Sequence, residues 1–224
     1  MESDDLLGPP AAPPEFDNME VEHRLVMKVP PMWGNFVVTI PGLKKAFLKV
    51  NKNACTGIMS SICQTHSGVE VIPKADFAIR REFDDYELVT MVRDPLKRAE
   101  STYRWVQGHD EGHVYRSGTR VPSWRLEFSQ WVLALEDYPW TDPHVMPQTD
   151  LMLAEGSRWP TVFVPWDFDQ LGELLGITKW RTENVSDKTI TCNWTVPALE
   201  LMRRRYAADF LLWEQVNRAA RMAA

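Results

Sequence analysis

The sequence is short of several things, and each shortage excludes a class of protein. No apolar run approaches the length of a membrane span, and Met1 is followed by acids and prolines rather than the basic start and apolar stretch of a signal peptide. The expectation is a chain without a membrane span, working in the cytoplasm. Cysteine is scarce: Cys55, Cys63 and Cys192 form no even-numbered disulfide framework and no paired zinc spacing, which fits a reducing compartment and predicts no metal. Basic excess is missing too. Residues 1–23 hold seven acids and no lysine or arginine, leaving 25 basic against 24 acidic residues in the rest of the 224-residue chain. A nearly neutral domain gives no support to nucleic-acid binding, which needs a broad positive surface. There is no internal repeat, no H-E-x-x-H, and no G-x-x-x-x-G-K-[ST] phosphate loop, so an ordinary ATP or GTP site is not expected.

What is present suits one globular domain. Hydrophobic residues make up 44% and there are 10 tryptophans, enough for a substantial core over residues 23–224. Residues 1–22 carry Pro9, Pro10, Pro13 and Pro14 among acids and read as a flexible, acidic tail.

Two segments carry the chemistry. In the first, the apolar run Phe47-Leu48-Lys49-Val50 passes through Asn51-Lys52-Asn53 into Ile58, Met59 and Ile62 at helical spacing, which predicts strand, tight loop and helix. Thr56 is placed to cap that helix and Gly68 to end it. A loop of this form aims unpaired N–H groups, a helix dipole, the Lys52 ammonium and a hydroxyl at one small volume, as an anion site requires. In the second, Tyr86 to Val92 reads as a buried strand running into Arg93-Asp94-Pro95, with Ser101 about two turns into the helix that Pro95 starts.

K-x-x-x-C-T at Lys52 to Thr56 and V-R-D-P-x-x-R-x-x-S-x-Y at Val92 to Tyr103 together resemble the sulfotransferase family, in particular its carbohydrate-sulfotransferase branch. Asp142-Pro143-His144-Val145-Met146-Pro147-Gln148 is similar to the H-x-x-P-Q segment of that branch, and the likeness runs roughly from Phe36 to Val216. The resemblance implies an α/β fold of three layers, a mostly parallel sheet flanked by helices with a phosphate-loop-like site. It implies an enzyme that moves a sulfuryl group from 3′-phosphoadenosine 5′-phosphosulfate to an acceptor hydroxyl, a carbohydrate being one candidate, and releases 3′-phosphoadenosine 5′-phosphate. By the same resemblance Lys52, Asn53, Ala54, Cys55, Thr56 and Gly57 hold the 5′-phosphosulfate end, while Arg93 and Ser101 hold the 3′-phosphate. Lys52 is also the group that stabilises the leaving oxygen. Two departures stand out: Asn51 where members often have proline, and Gly57 where they often have serine or asparagine. They keep a second reading open, a protein on the same scaffold that binds an adenine nucleotide without turnover.

The base that takes the acceptor's proton is not settled by the motif. His144 and His66 are the candidates, ahead of Glu82. Arg98 either supports the site or pairs with Asp94 or Glu100. Lys74, Arg80 and Arg81 read as a solvated basic cluster, and Gln107 to Pro122 as a mobile substrate loop in which His109 and His113 are not metal ligands. Further expected elements are strands at Phe36–Ile40, at the sheet edge, at Val69–Ile72 and at Thr161–Val164. Helices are expected over Ser123–Tyr138, Phe168–Leu175 and Pro197–Ala220. Oligomeric state is not legible.

Overall fold

The computed structural model describes residues 36–107, 113–116, 119–122, 126–137, 143–153, 158–182 and 187–223. The acidic tail at 1–22 lies outside the described residues, as do His109, Trp124 and Trp140.

The fold is α/β. A five-stranded sheet has the order β3 (Glu70–Pro73), β1 (Phe36–Ile40), β2 (Lys45–Leu48), β4 (Glu87–Met91) and β7 (Val162–Val164). It is mixed rather than mostly parallel: β1 pairs antiparallel with both β2 and β3, whereas the β2–β4 and β4–β7 pairs are parallel. The reason is local. Only the turn at Pro41–Leu43 and Lys44, in left-handed conformation at φ 50°, joins β1 to β2, and so short a connection permits a hairpin but no crossover. Pairing of β3 with the other side of β1 puts that strand inside the sheet, not at the expected edge, and its Val37, Val38 and Ile40 are fully buried.

Alternation along the strands builds two cores. Val37, Ala46, Leu48, Leu88 and Phe163 face one side, where they meet Phe77 of α2 (Lys74–Ile79), Leu151 and Met152 of α5 (Gln148–Leu153) and Val216 of α8 (Ala207–Ala223). Val38, Ile40, Phe47, Val89, Met91 and Val164 face the other, against Ile58 and Ile62 of α1 (Cys55–Thr65) and Leu171 and Leu175 of α6 (Phe168–Leu175). Helix, sheet and helix form three layers. A third cluster lies beyond the sheet, where Tyr103 of α3 (Pro95–Gln107), Trp131 of α4 (Phe128–Ala134) and Met202 of α7 (Val196–Arg205) pack together. The helix expected over Ser123–Tyr138 is shorter, α4 followed by a 3-10 turn at Leu135–Asp137; Trp131, Val132 and Leu135 are buried as the helical spacing predicts, whereas Leu126, also buried, precedes the helix.

Three other expectations change. The C-terminal helix is two helices, α7 and α8, broken at Tyr206, which leaves helical geometry (φ −111°, ψ 28°) while its buried hydroxyl donates to the Val145 carbonyl. Part of the segment expected as a mobile loop is an antiparallel ribbon, β5 (His113–Arg116) with β6 (Thr119–Pro122). Lys74 is no solvated charge. It is 2% exposed, and its ammonium donates to the carbonyls of Leu151 (3.2 Å) and Met152 at the end of α5.

Burial pushes Lys74 down to about 7, against roughly 10.4 for an unfolded lysine. Between those values the unfolded chain binds more protons than the native one, so this residue makes stability rise with pH, by up to about 1.4 kcal/mol per unit. Relative to Lys74→Met, the wild-type protein is expected to gain stability steadily from pH 7.5 to 9.5 in urea titrations. A difference independent of pH would show that Lys74 keeps its proton in the fold.

Among the described residues no helix is long and apolar enough to cross a membrane.

Candidate functional site

Strands β2, β4 and β7 are parallel neighbours, so their carboxyl ends open at one edge of the sheet, and each is followed by a residue of interest: Lys52, Arg93 and Trp166. Such an edge is where open α/β sheets bind ligands.

The first loop is conformationally unusual. Lys52 (φ 66°) and Ala54 (φ 52°) are both left-handed, two of the three non-glycine residues in that region among the described residues. Left-handed backbone costs an L-residue about 1–2 kcal/mol, and it turns successive N–H groups into a concave, anion-seeking arrangement. The first backbone bond into α1 runs from the Ile58 N–H to the Ala54 carbonyl (3.1 Å), so the N–H groups of Cys55, Thr56 and Gly57 precede it at the positive end of the helix. Thr56 does not cap the helix as expected. The left-handed turn starts α1 at Cys55, makes Ala54 the cap residue with no side-chain bond, and leaves Thr56 exposed within the first turn. The helix ends at Thr65, before Gly68. Ala54→Gly is expected to stabilise the protein by about 0.5 kcal/mol, relief of strain outweighing glycine's extra unfolded-state freedom. Loss of stability in a urea titration would contradict the left-handed geometry.

The two motif loops are in contact. Arg93 donates from Nη1 to the Lys52 carbonyl (2.7 Å), and its guanidinium lies 4.3 Å from the Trp166 ring centroid. Desolvation, with the Arg98 charge second, pushes Arg93 down to about 10, so it stays cationic at neutral pH. Among the described residues it forms no ion pair, although Lys44, Lys45, Arg80, Lys97, Arg104 and Arg204 all do. A partly buried cation without a carboxylate is a ready partner for an anion.

The Lys52 ammonium lies 5.3 Å from the ring centroid of Trp105, and the His144 imidazole stacks on the same indole at 4.2 Å and 17°. Lys52 and His144, 92 positions apart in the sequence, thus share one aromatic neighbour. His66 is not brought to this cluster. It sits at the far end of α1, about 16 Å along an 11-residue helix, with its Nε2 2.8 Å from the Leu175 carbonyl. Ser101 is 7% exposed on α3, the helix that Arg93 leads into. Cys55 is a buried free thiol in the first turn of α1.

Beneath the loops lies a polar frame. Arg98 is 3% exposed and donates to the carbonyls of Asn51 (3.0 Å), Met146 (2.7 Å) and Pro143 (3.2 Å), so it supports the site by tying the first loop to the His144 segment. Thr102 donates to the His144 carbonyl (3.0 Å). Asn53, 1% exposed, donates to the carbonyl of Met91 (2.7 Å) and to Oε1 of Gln148 (3.1 Å). The side-chain oxygens of Asn51 and Asn53 are buried and accept no hydrogen bond from the described residues, so each is open to a water or a ligand donor. Arg80 pairs with Glu70 (3.1 Å) and Glu82 on the surface, as a solvated charge would.

The roles of Trp105, Trp166, Gln148 and Asp209 escaped the sequence reading. Gln148 stands within a motif that signalled the segment but not its role. Nothing in Tyr-Ala-Ala-Asp signals that Asp209 becomes a fully buried carboxylate bound to the start of α5. No family model, curated protein or solved structure matches the chain.

Proposed function

We propose that the protein is a sulfotransferase that carries a sulfuryl group from 3′-phosphoadenosine 5′-phosphosulfate to the hydroxyl of an acceptor, with carbohydrates the first class to test. The observation that carries this reading is the partly buried Arg93 cation, without an ion pair among the described residues and bonded directly to the Lys52 loop, which supports two anion-binding loops gripping one doubly phosphorylated nucleotide.

Each residue has a task under this reading. The N–H groups at the start of α1 and the Thr56 hydroxyl hold the 5′-phosphate, while Arg93 and the Ser101 hydroxyl hold the 3′-phosphate. The acceptor oxygen attacks sulfur in line, the bond from sulfur to the bridging oxygen breaks, and the departing electron pair stays on the nucleotide's 5′-phosphate. The Lys52 ammonium stabilises that growing charge. His144 accepts the acceptor's proton. Its stacking beside Lys52 on Trp105 supports it over His66 as the base. Trp166, 40% exposed at the end of β7, offers aromatic surface for the adenine.

The test is transfer of labelled sulfate from the cofactor to a panel of mono- and oligosaccharides and phenols, with ATP and labelled phosphate run in parallel. Sulfated product that disappears in Lys52→Ala is the expected result. Nucleotide binding with no transfer to any acceptor would favour the non-catalytic reading, and phosphate transfer from ATP would replace both.

A further inference from the structure

We infer that Gln148 is a positioning residue that locks the Lys52 and Arg93 loops into one rigid unit, so that the two ends of a bound nucleotide are recognised together rather than independently. The ligand named here rests on the function proposed above; the lock itself does not.

Gln148 has no exposed surface. Its amide treats Arg93 as a neighbouring strand would: Oε1 accepts from the Arg93 N–H (3.3 Å), and Nε2 donates to the Arg93 carbonyl (2.8 Å). This pair of bonds takes over where the ladder stops, since the last backbone bond of that run is from the Val92 N–H to the Val164 carbonyl (2.8 Å). The same Oε1 also accepts from Nδ2 of Asn53 (3.1 Å), whose other donor bond goes to the Met91 carbonyl (2.7 Å). One buried amide therefore fixes the residue after Lys52 and both backbone groups of Arg93.

The amide is itself held from both ends of its helix. At the start of α5, Asp209 Oδ2 accepts from the Gln148 N–H (2.8 Å), and Oδ1 accepts from the Thr149 N–H (2.9 Å) and hydroxyl (2.7 Å). At the other end the buried Lys74 amine donates to the last carbonyls. Asp209 comes from α8 and Lys74 from α2, so α5 is anchored to two separate elements. A displacement of the Lys52 loop must then either carry Arg93 with it or break bonds in a buried, hydrogen-bonded frame.

The test uses Gln148→Met, similar in length and unable to form these bonds, in the full chain. Amide hydrogen exchange is followed in the nucleotide-free protein, and affinities are measured for adenosine, adenosine 5′-monophosphate, adenosine 3′-monophosphate and 3′-phosphoadenosine 5′-phosphate. The Arg93 amide is expected to exchange at least about 10-fold faster in the variant. In the wild type the two phosphates together are expected to add more affinity over adenosine than the sum of their separate contributions, and in Gln148→Met that excess is expected to fall about 10-fold. A residue that only stabilised the fold would lower Tm without changing this excess. Should Gln148→Met fail to fold, Gln148→Glu keeps the acceptor for Arg93 and Asn53 and sets a carboxylate oxygen against the Arg93 carbonyl in place of the donor; it is expected to retain Arg93 amide protection and part of the excess. An Arg93 amide equally protected in wild type and Gln148→Met would overturn the inference. Faster exchange in a protein that binds none of the three nucleotides would uphold the lock and remove the proposed function instead.

Discussion

Arg93→Ala is expected to weaken binding of 3′-phosphoadenosine 5′-phosphate by about 100-fold or more, the loss of one charge-assisted contact in a partly desolvated site. The expectation follows from how the residue is kept. Its guanidinium lies on the Trp166 ring, its Nη1 holds the Lys52 carbonyl, and among the described residues no carboxylate is in ion-pair contact with it. Thermal stability of the empty protein is expected to move little, because two terms oppose. Removing the side chain loses the bond to Lys52, but it also relieves the cost of burying an unpaired cation, the cost that pushes Arg93 down to about 10. Calorimetric titration alongside thermal melts checks both parts. A large fall in Tm with undiminished nucleotide affinity would mean that Arg93 serves the fold alone.

Lys52→Ala is expected to lower kcat by about 100- to 1,000-fold, the usual consequence of deleting one group that meets charge developing in a transition state. Affinity for the product nucleotide is expected to change only a few-fold, since the N–H groups of the loop remain. The substitution leaves the left-handed backbone as it is, for alanine and lysine share the same penalty at φ 66°. The two substitutions should therefore separate: Arg93 acts on binding, Lys52 on turnover. Equal losses in affinity for both variants, with turnover per bound nucleotide unchanged, would take the catalytic role from Lys52.

Much of the frame was legible because it rests on local pattern. Short β-branched and apolar runs in Phe36–Ile40 and Glu87–Met91, and helical spacing in Phe168–Leu175 ended by a left-handed Gly176, state their conformations outright. The strand-loop-helix around Lys52 was legible in the same way. What escaped was decided at long range. The position of β1 inside the sheet depends on which strand β3 chooses to pair with, and the break at Tyr206 depends on a hydroxyl reaching a carbonyl 61 positions away. Lys74 looked solvated beside Arg80 and Arg81 because composition does not reveal that α2 turns this one side chain beneath α5. The contact of Trp105 with both Lys52 and His144, and the bonds of Gln148, join segments separated by 39 to 95 positions in the sequence, beyond the reach of any periodicity. His66 shows the converse. Its closeness in sequence to the first loop suggested a catalytic part, but a helix of 11 residues carries it away.

All of these expectations meet in a single nucleotide spanning the Lys52 and Arg93 loops. Isothermal titration of the purified protein with 3′-phosphoadenosine 5′-phosphate measures that directly. One nucleotide per chain, bound in the micromolar range and at least about 100-fold more tightly than adenosine 5′-monophosphate, is the predicted result. No binding at millimolar nucleotide, or equal affinity for the two ligands, would contradict it.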